Sequence, residues 1–273
     1  MKYAFICLVW FITNHVLIAQ DANIINSDPD VIVKFLKYPF KKMEVEIIQF
    51  NGVGANREKA KGKSAFKMLE YTNPNQCLVI NKTKNEIMDT TTFNYDRCGG
   101  LVNKKGHENY FEYHNRYKNC VLIGRKANET EIFSGGFSHQ VNLIRYQYNT
   151  YGQISQELIF DFEDSTNTKY SYEYAYKDKL KDTYKEYYFD DDGHKLLNRM
   201  SRYFYSNNLL DSMVHYNSEN TPIDKMEYTY YSNGKVKSIR NGPDYYEYFY
   251  NNELLEKIIE PNVSKEYWIK WIL

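Results

Sequence analysis

The chain has 273 residues, 42% of them hydrophobic and 17% aromatic, with 28 tyrosines, which is material for one large core or two small ones. Lys plus Arg equals Asp plus Glu at 35 each, so the electrostatic footprint of a nucleic-acid or anionic-membrane binder is missing.

Residues 1–19 start with Lys2, run through the apolar stretch Ala4 to Ile12 and then Val16 to Ala19, and meet the polar Gln20-Asp21-Ala22-Asn23. A basic start, a short apolar run and a small residue at the break predict a secretory signal peptide cleaved after Ala19. The run falls short of the ~20 residues of a spanning helix, and Asn14 and His15 interrupt it. Cys7 precedes the cut and the first residue after it, Gln20, is not a cysteine, so a lipid anchor is not expected. The mature chain is therefore expected to be periplasmic or secreted, with no transmembrane helix left after cleavage.

Residues 20–140 read as an irregular, mostly-β region. Asp28-Pro29-Asp30 ahead of Val31 to Leu36 can open a short helix, because Asp caps and Pro suits a first turn. Val45 to Phe50 and Cys77 to Ile80 read as strands, separated by a basic loop from Gly52 to Lys63. Cys77, Cys98 and Cys120 stay in the mature chain, giving either one disulfide with a leftover thiol or three separate thiols. Asn81, Asn128 and Asn262 each head a glycosylation sequon.

From 141 to 260 a nine-residue phrase recurs, Tyr-x-Tyr-(Asp/Asn)-x-x-Gly-x-(aliphatic). Copies begin at Tyr146, Tyr187 and Tyr228, and Phe93 to Leu101 is an upstream one. The two rings share a strand face, Asp or Asn starts a turn, Gly supplies φ > 0, and the aliphatic residue opens the return strand. The phrase thus predicts a hairpin with its register. A shorter form without Gly occurs at Tyr174 to Leu180, Tyr203 to Leu209 and Tyr248 to Leu254, where Asn or Asp takes the tight backbone. Tyr216 to Ile223 is a lengthened turn, and Asn241-Gly242-Pro243-Asp244 is another turn. Residues 261–273 form a C-terminal strand or tail in which Tyr267, Ile269, Trp271 and Leu273 alternate.

These phrases resemble the YD repeats of rearrangement-hotspot (Rhs) shell proteins and teneurins, from Tyr146 to Glu256 and again at Phe93 to Leu101. Ile48 to Gly54 and Leu69 to Asn75 keep only the outline. The resemblance implies a curling sheet, and the closed shells of that family enclose a toxin. About ten repeat strands at about 4.8 Å spacing cover some 45–50 Å, too little to wrap a separate protein.

Motifs with chemistry are incomplete. Gly52-Val53-Gly54-Ala55-Asn56-Arg57 lacks the third Gly of a dinucleotide fingerprint, and Gly62-Lys63-Ser64 lacks the first Gly of a phosphate loop. His107-Glu108 has Phe111 in place of the second zinc-binding His. Ser138-His139 lacks a nucleophile elbow, and neighbours on a strand face opposite ways. Asp190-Asp191-Asp192-Gly193 offers oxygen ligands without a full calcium loop and reads as a solvated turn. No cofactor or metal is expected.

The expected fold is all-β, an antiparallel meander of hairpin repeats in a twisted or curled sheet. The expected function is that of an exported non-catalytic scaffold or binding protein, whose partner is a protein or glycan of the cell envelope. Its candidate surface is the aromatic face of Tyr172, Tyr174, Tyr176, Tyr203, Tyr205, Tyr228, Tyr230, Tyr248 and Tyr250. If that face is covered the rings are core, and if open they form a platform. One alternative is an enzyme acting on envelope polysaccharide through scattered carboxylates such as Glu157, Asp161 and Glu163. The other is a small outer-membrane β-barrel ending at the alternating C-terminal residues.

Overall fold

The computed structural model describes residues 42–272 apart from 52–57, 74, 84–86, 99, 107–108, 134–135, 162–166, 252–253 and 262–264. The expected signal peptide and short helix, the Gly52 to Arg57 loop, His107, Glu108, Glu163 and Asn262 therefore lie outside the described residues.

The described chain is built of strands: β1 (Lys42–Asn51), β2 (Glu58–Asn73), β3 (Gln76–Thr83), β4 (Ile87–Tyr95), β5 (Leu101–Lys105), β6 (Asn109–Lys118), β7 (Val121–Phe133), β8 (Gly136–Tyr148) and β9 (Ile154–Asp161). There follow β10 (Thr168–Lys177), β11 (Leu180–Phe189), β12 (Lys195–Ser206), β13 (Leu209–Asn217), β14 (Pro222–Tyr230), β15 (Val236–Asn241), β16 (Asp244–Asn251), β17 (Leu254–Glu260) and β18 (Lys265–Ile272). Each pairs antiparallel with its neighbours in sequence, as the meander predicts. In addition β1 pairs with β18, from Lys42↔Ile272 to Gln49↔Lys265. Every one of the 18 strands thus has two hydrogen-bonded neighbours, and no strand edge is left open among them.

Of the region 20–140, the described residues form β1 to β7 and part of β8. Its basic loop ends earlier than its composition suggests. Backbone pairing of Asn51 with Glu58 and of Phe50 with Lys59 carries β2 through the lysines up to Lys63.

The turns explain the phrase. At Asn149 to Gln153 the Asn149 N–H donates to the Gln153 carbonyl (2.9 Å), and the Gly152 N–H donates to the Asn149 carbonyl (3.0 Å). The Asn149 side-chain oxygen accepts from the N–H groups of Tyr151 (2.9 Å) and Gln153 (3.0 Å). Asp190 and Asn217 repeat this arrangement with His194 and Thr221. The fourth residue has positive φ each time: Gly152 at 76°, Gly193 at 79°, Asn220 at 60°. The shorter form is a two-residue hairpin with both central residues at positive φ, the signature of a type I′ turn: Asp178 and Lys179, Asn207 and Asn208, and also Asn119 and Cys120.

Seven register shifts recur at the ring that precedes a turn: Tyr95, Tyr117, Tyr148, Tyr176, Tyr205, Tyr230 and Tyr250. Each leaves one extra residue on the return strand, such as Ser155 opposite Gln147 and Tyr148 or Asp182 opposite Ala175 and Tyr176. A bulge bends its strand and raises the local twist, so seven at one end of the ladder turn a meander back toward its own start. A bulge also frees a carbonyl from the ladder, and a tyrosine of the next hairpin takes it. Tyr148 donates to the Leu122 carbonyl, Tyr176 to Ile154 (2.8 Å) and Tyr230 to Leu210 (2.7 Å). Leu122, Ile154 and Leu210 are the residues paired with Tyr117, Tyr148 and Tyr205 at the preceding bulges. At these three bulges the second tyrosine of the phrase therefore latches one hairpin to the one before, a role Phe cannot fill.

Tyr230→Phe should accordingly cost about 1–3 kcal/mol, because it strands the carbonyl of a buried residue, Leu210. Tyr245→Phe should cost less than about 0.5 kcal/mol, since its hydroxyl reaches only Glu247 two residues away. Denaturant unfolding of both variants checks this, and equal costs would refute the latch.

One face of the ladder is packed. Its apolar half joins β13–β18 to β1 and β3–β5 through Val45, Phe93, Leu210, Ile239, Tyr248 and Ile258, each no more than 2% exposed. Lys235, which the phrase places in a solvated turn, is buried at 9% with its ammonium over the Tyr250 ring at 5.1 Å. The membrane-strand reading of the C-terminus is reversed. Tyr267 and Ile269 are buried on the packed face, while Glu266, Trp268 and Lys270 take the opposite one. A lipid-facing barrel strand needs its apolar side outward.

Candidate functional site

The tyrosines named from the sequence all lie on the packed face, in two environments. Tyr228 at 4% and Tyr248 at 1% exposure are core, which removes them from any contact surface. Tyr203, Tyr205, Tyr230 and Tyr250 are partly buried against the same cluster. Tyr172, Tyr174 and Tyr176 are half-buried on β10, where the packed face turns polar. There Tyr172 stacks on Tyr184 (centroids 6.1 Å, 10° between planes), and the Tyr174 hydroxyl donates to Glu157 Oε1 at 2.9 Å.

Glu157 is the buried carboxylate of this stretch, and the one of the three scattered carboxylates whose side chain is described. Burial raises its pKa above the usual carboxylate range, against the bond from Tyr174 and the charges of Lys181 and Arg125. Burial likewise lowers Lys181, whose ammonium lies over the rings of Tyr174 (4.9 Å) and Tyr203 (5.3 Å). One strand further, Arg199 Nε donates to Glu186 Oε2 at 2.7 Å. These groups satisfy one another, and no second carboxylate stands with Glu157 as an acid/base partner in the described contacts.

A cross-strand row missed in the sequence is Ser201, His215 and Asp224, on β12, β13 and β14. Ser201 Oγ lies 2.7 Å from His215 Nδ1, and His215 Nε2 lies 3.7 Å from Asp224 Oδ1. The residue types are those of a nucleophilic triad. Two features argue against that chemistry. Ser201 is 2% exposed, so a substrate carbonyl has no approach. The surrounding backbone N–H groups belong to β-ladders, which leaves no preorganised oxyanion site. The row reads as a buried serine satisfied by histidine.

Asp190, Asp192 and His194 could place one ligand atom each within 4.8 Å of one another. Yet Asp190 does in its turn what the Asn149 and Asn217 amides do in theirs, accepting N–H bonds from Asp192 (3.1 Å) and His194 (2.8 Å). His139 lies on β8 against Thr130 Oγ1 at 2.9 Å, and its neighbour Ser138 pairs with Glu131 across the ladder. The cysteines resolve as one disulfide, Cys98–Cys120, with Cys77 a buried free thiol.

The opposite, charged face carries an accessible groove. The row Gln147↔Gln156↔Glu173↔Lys185↔Met200 crosses β8 to β12. Beside it runs Ala175↔Thr183↔Arg202. Two adjoining hollows follow these rows and share Thr183 and Lys185. Short side chains at Ser155, Ala175 and Thr183 form the floor, and Phe204, 44% exposed, stands at one end. Glu173 is bound by the ammonium of Lys195. Sequence could have flagged the polar residues singly, but only the registers bring them into rows.

No protein-family model and no curated protein matches the chain. Among solved structures it is similar to a porin-like protein from Bacteroides uniformis, at 10% identity and TM-score 0.42 over 85% of this chain and 96% of that one. It is also similar to part of the Tc holotoxin pore of Photorhabdus luminescens, at 12% identity and TM-score 0.27, over 73% of this chain and 12% of that one. A DUF1329 family protein from Desulfovibrio piger matches at 8% identity and TM-score 0.22, over 89% of this chain and 88% of that one. All three scores lie below 0.5 and carry no functional inference.

Proposed function

We propose that the chain is an exported, non-catalytic binding protein of the cell envelope or extracellular space, working by contact through the charged face of its sheet. The observation that supports this reading most is the groove of β8–β12, a hollow on the charged face lined mainly by polar and charged side chains, with Ala175, Met200 and Phe204 among them. The packed face gives the same direction in part: the hydroxyls of Tyr176 and Tyr230 are spent on backbone carbonyls, and Tyr174 with Glu157 and Arg199 with Glu186 on one another. The export half of the reading rests on the character of residues 1–19.

Three measurements test it together. Mass spectrometry of the native product should find an N-terminus at or near Gln20. Pull-down from envelope fractions should recover a partner that is lost with Lys185→Glu. A panel of ester, peptide and glycoside substrates should show no turnover. Turnover abolished by Ser201→Ala or Glu157→Gln would overturn the non-catalytic reading, and an intact Met1 in the cytoplasm would overturn export.

A further inference from the structure

We infer that the groove on the charged face of β8–β12 is a binding site for an acidic polysaccharide, which rests on the contact reading above and names its ligand class. Charge is the first argument. On this face the strands carry Arg145, Lys185, Lys195 and Arg202 near Glu173 and Asp182, so cations exceed carboxylates. Lys195 neutralises Glu173, and Lys185 has no ion pair among the described residues. Lys185 and Arg202 are diagonal neighbours across β11 and β12, because Lys185 pairs with Met200 two residues from Arg202. Diagonal neighbours stand about 7–8 Å apart at the backbone, a separation that long cationic side chains close onto one carboxylate or sulfate. The chain is neutral overall, so this cationic excess is local.

The lining is the second argument. Gln147, Ser155 and Thr183 offer an amide and hydroxyls that stand off the sheet and can donate to and accept from sugar hydroxyls. Phe204 supplies an exposed ring against which a sugar face can rest. From β8 to β12 the rows extend about 19 Å, room for a strand of several sugars.

The ladder itself argues against an extended acidic peptide. A peptide gains most by adding a strand to a free edge, and every described strand already has two neighbours.

Purified mature protein is tested by affinity electrophoresis and interferometry against polygalacturonate, dextran and poly-L-glutamate, at low and rising salt. Polygalacturonate should bind, weakening as salt rises, and dextran should bind at least about tenfold more weakly. Lys185→Glu and Arg202→Glu should each lower polygalacturonate binding about tenfold or more, and Lys185→Arg should keep it, with unchanged β circular dichroism in all three. Equal binding of dextran, wild-type binding by both charge reversals, or binding of poly-L-glutamate alone would overturn the acidic-polysaccharide assignment. In any of those cases a partner recovered from envelope fractions would leave the contact reading standing; no partner from any fraction would remove both.

Discussion

Replacing Cys98 and Cys120 together by serine should destabilise the protein by about 3 kcal/mol. The pair are 22 residues apart in sequence, and closing a loop of that length removes this much chain entropy from the unfolded state. The bond joins two neighbouring turns at the bulged end of the ladder, between β4 and β5 and between β6 and β7. Cys120 sits at φ 58°, so its turn is formed with the bond in place. Cys77 makes the measurement clean. Burial pushes its thiol up to about 12, and it is fully enclosed. In the oxidised native protein no thiol should react with an alkylating reagent. After mild reduction two should react, and the third only on unfolding. Denaturant curves of the oxidised and the double-serine forms should give unfolding free energies that differ by the stated amount. Coincident curves, or early reaction of Cys77, would show that the bond does not form or does not hold the rim.

The turns were legible because their chemistry is local. Gly152, Gly193 and Gly234 stand where φ > 0 is needed, and Asn207-Asn208 does without Gly because Asn tolerates that region. Asn119-Cys120 forms the same turn but was not recognised, since Asn115-Arg116-Tyr117 breaks the Tyr-x-Tyr frame. The return of the ladder to its start had no local sign. Lys42–Gln49 and its partner segment Lys265–Ile272 stand at opposite ends of the described chain, and only an alternation shared with other strands marks them. The bulges were hidden for a related reason: an extra residue such as Asp182 or Lys237 looks like any other exposed position until its partner is known. The same limit kept the groove and the Ser201, His215, Asp224 row out of sight. Their members are neighbours through register, and register accumulates over several shifts.

Gly100→Val should cost about 2–4 kcal/mol, for want of space. A Cβ at Gly100 would overlap the Tyr117 hydroxyl and stand 2.9 Å from Asn115 Nδ2. Neither neighbour is free to yield. The Tyr117 hydroxyl donates to Asp96 Oδ2 (2.7 Å), and Asn115 Nδ2 donates to the same oxygen (3.1 Å) and to the Leu101 carbonyl (2.9 Å). Arg125 Nε fixes Asn115 from the far side at 2.8 Å. Asp96 Oδ1 meanwhile accepts the N–H groups of Cys98 and Gly100, so a shift of the ring would disturb the turn that carries the disulfide. Gly152 provides the contrast. Nothing lies within 4 Å of a Cβ there, but its φ of 76° resists a branched side chain, so Gly152→Val should cost about 1–3 kcal/mol through backbone strain alone. Tyr117→Ala separates the two causes in a double-mutant cycle. In that background the cost of Gly100→Val should fall by about half or more, because the overlapping ring is gone, while the cost of Gly152→Val should not change. An undiminished cost at Gly100 would show that its backbone, and not the Tyr117 ring, demands glycine.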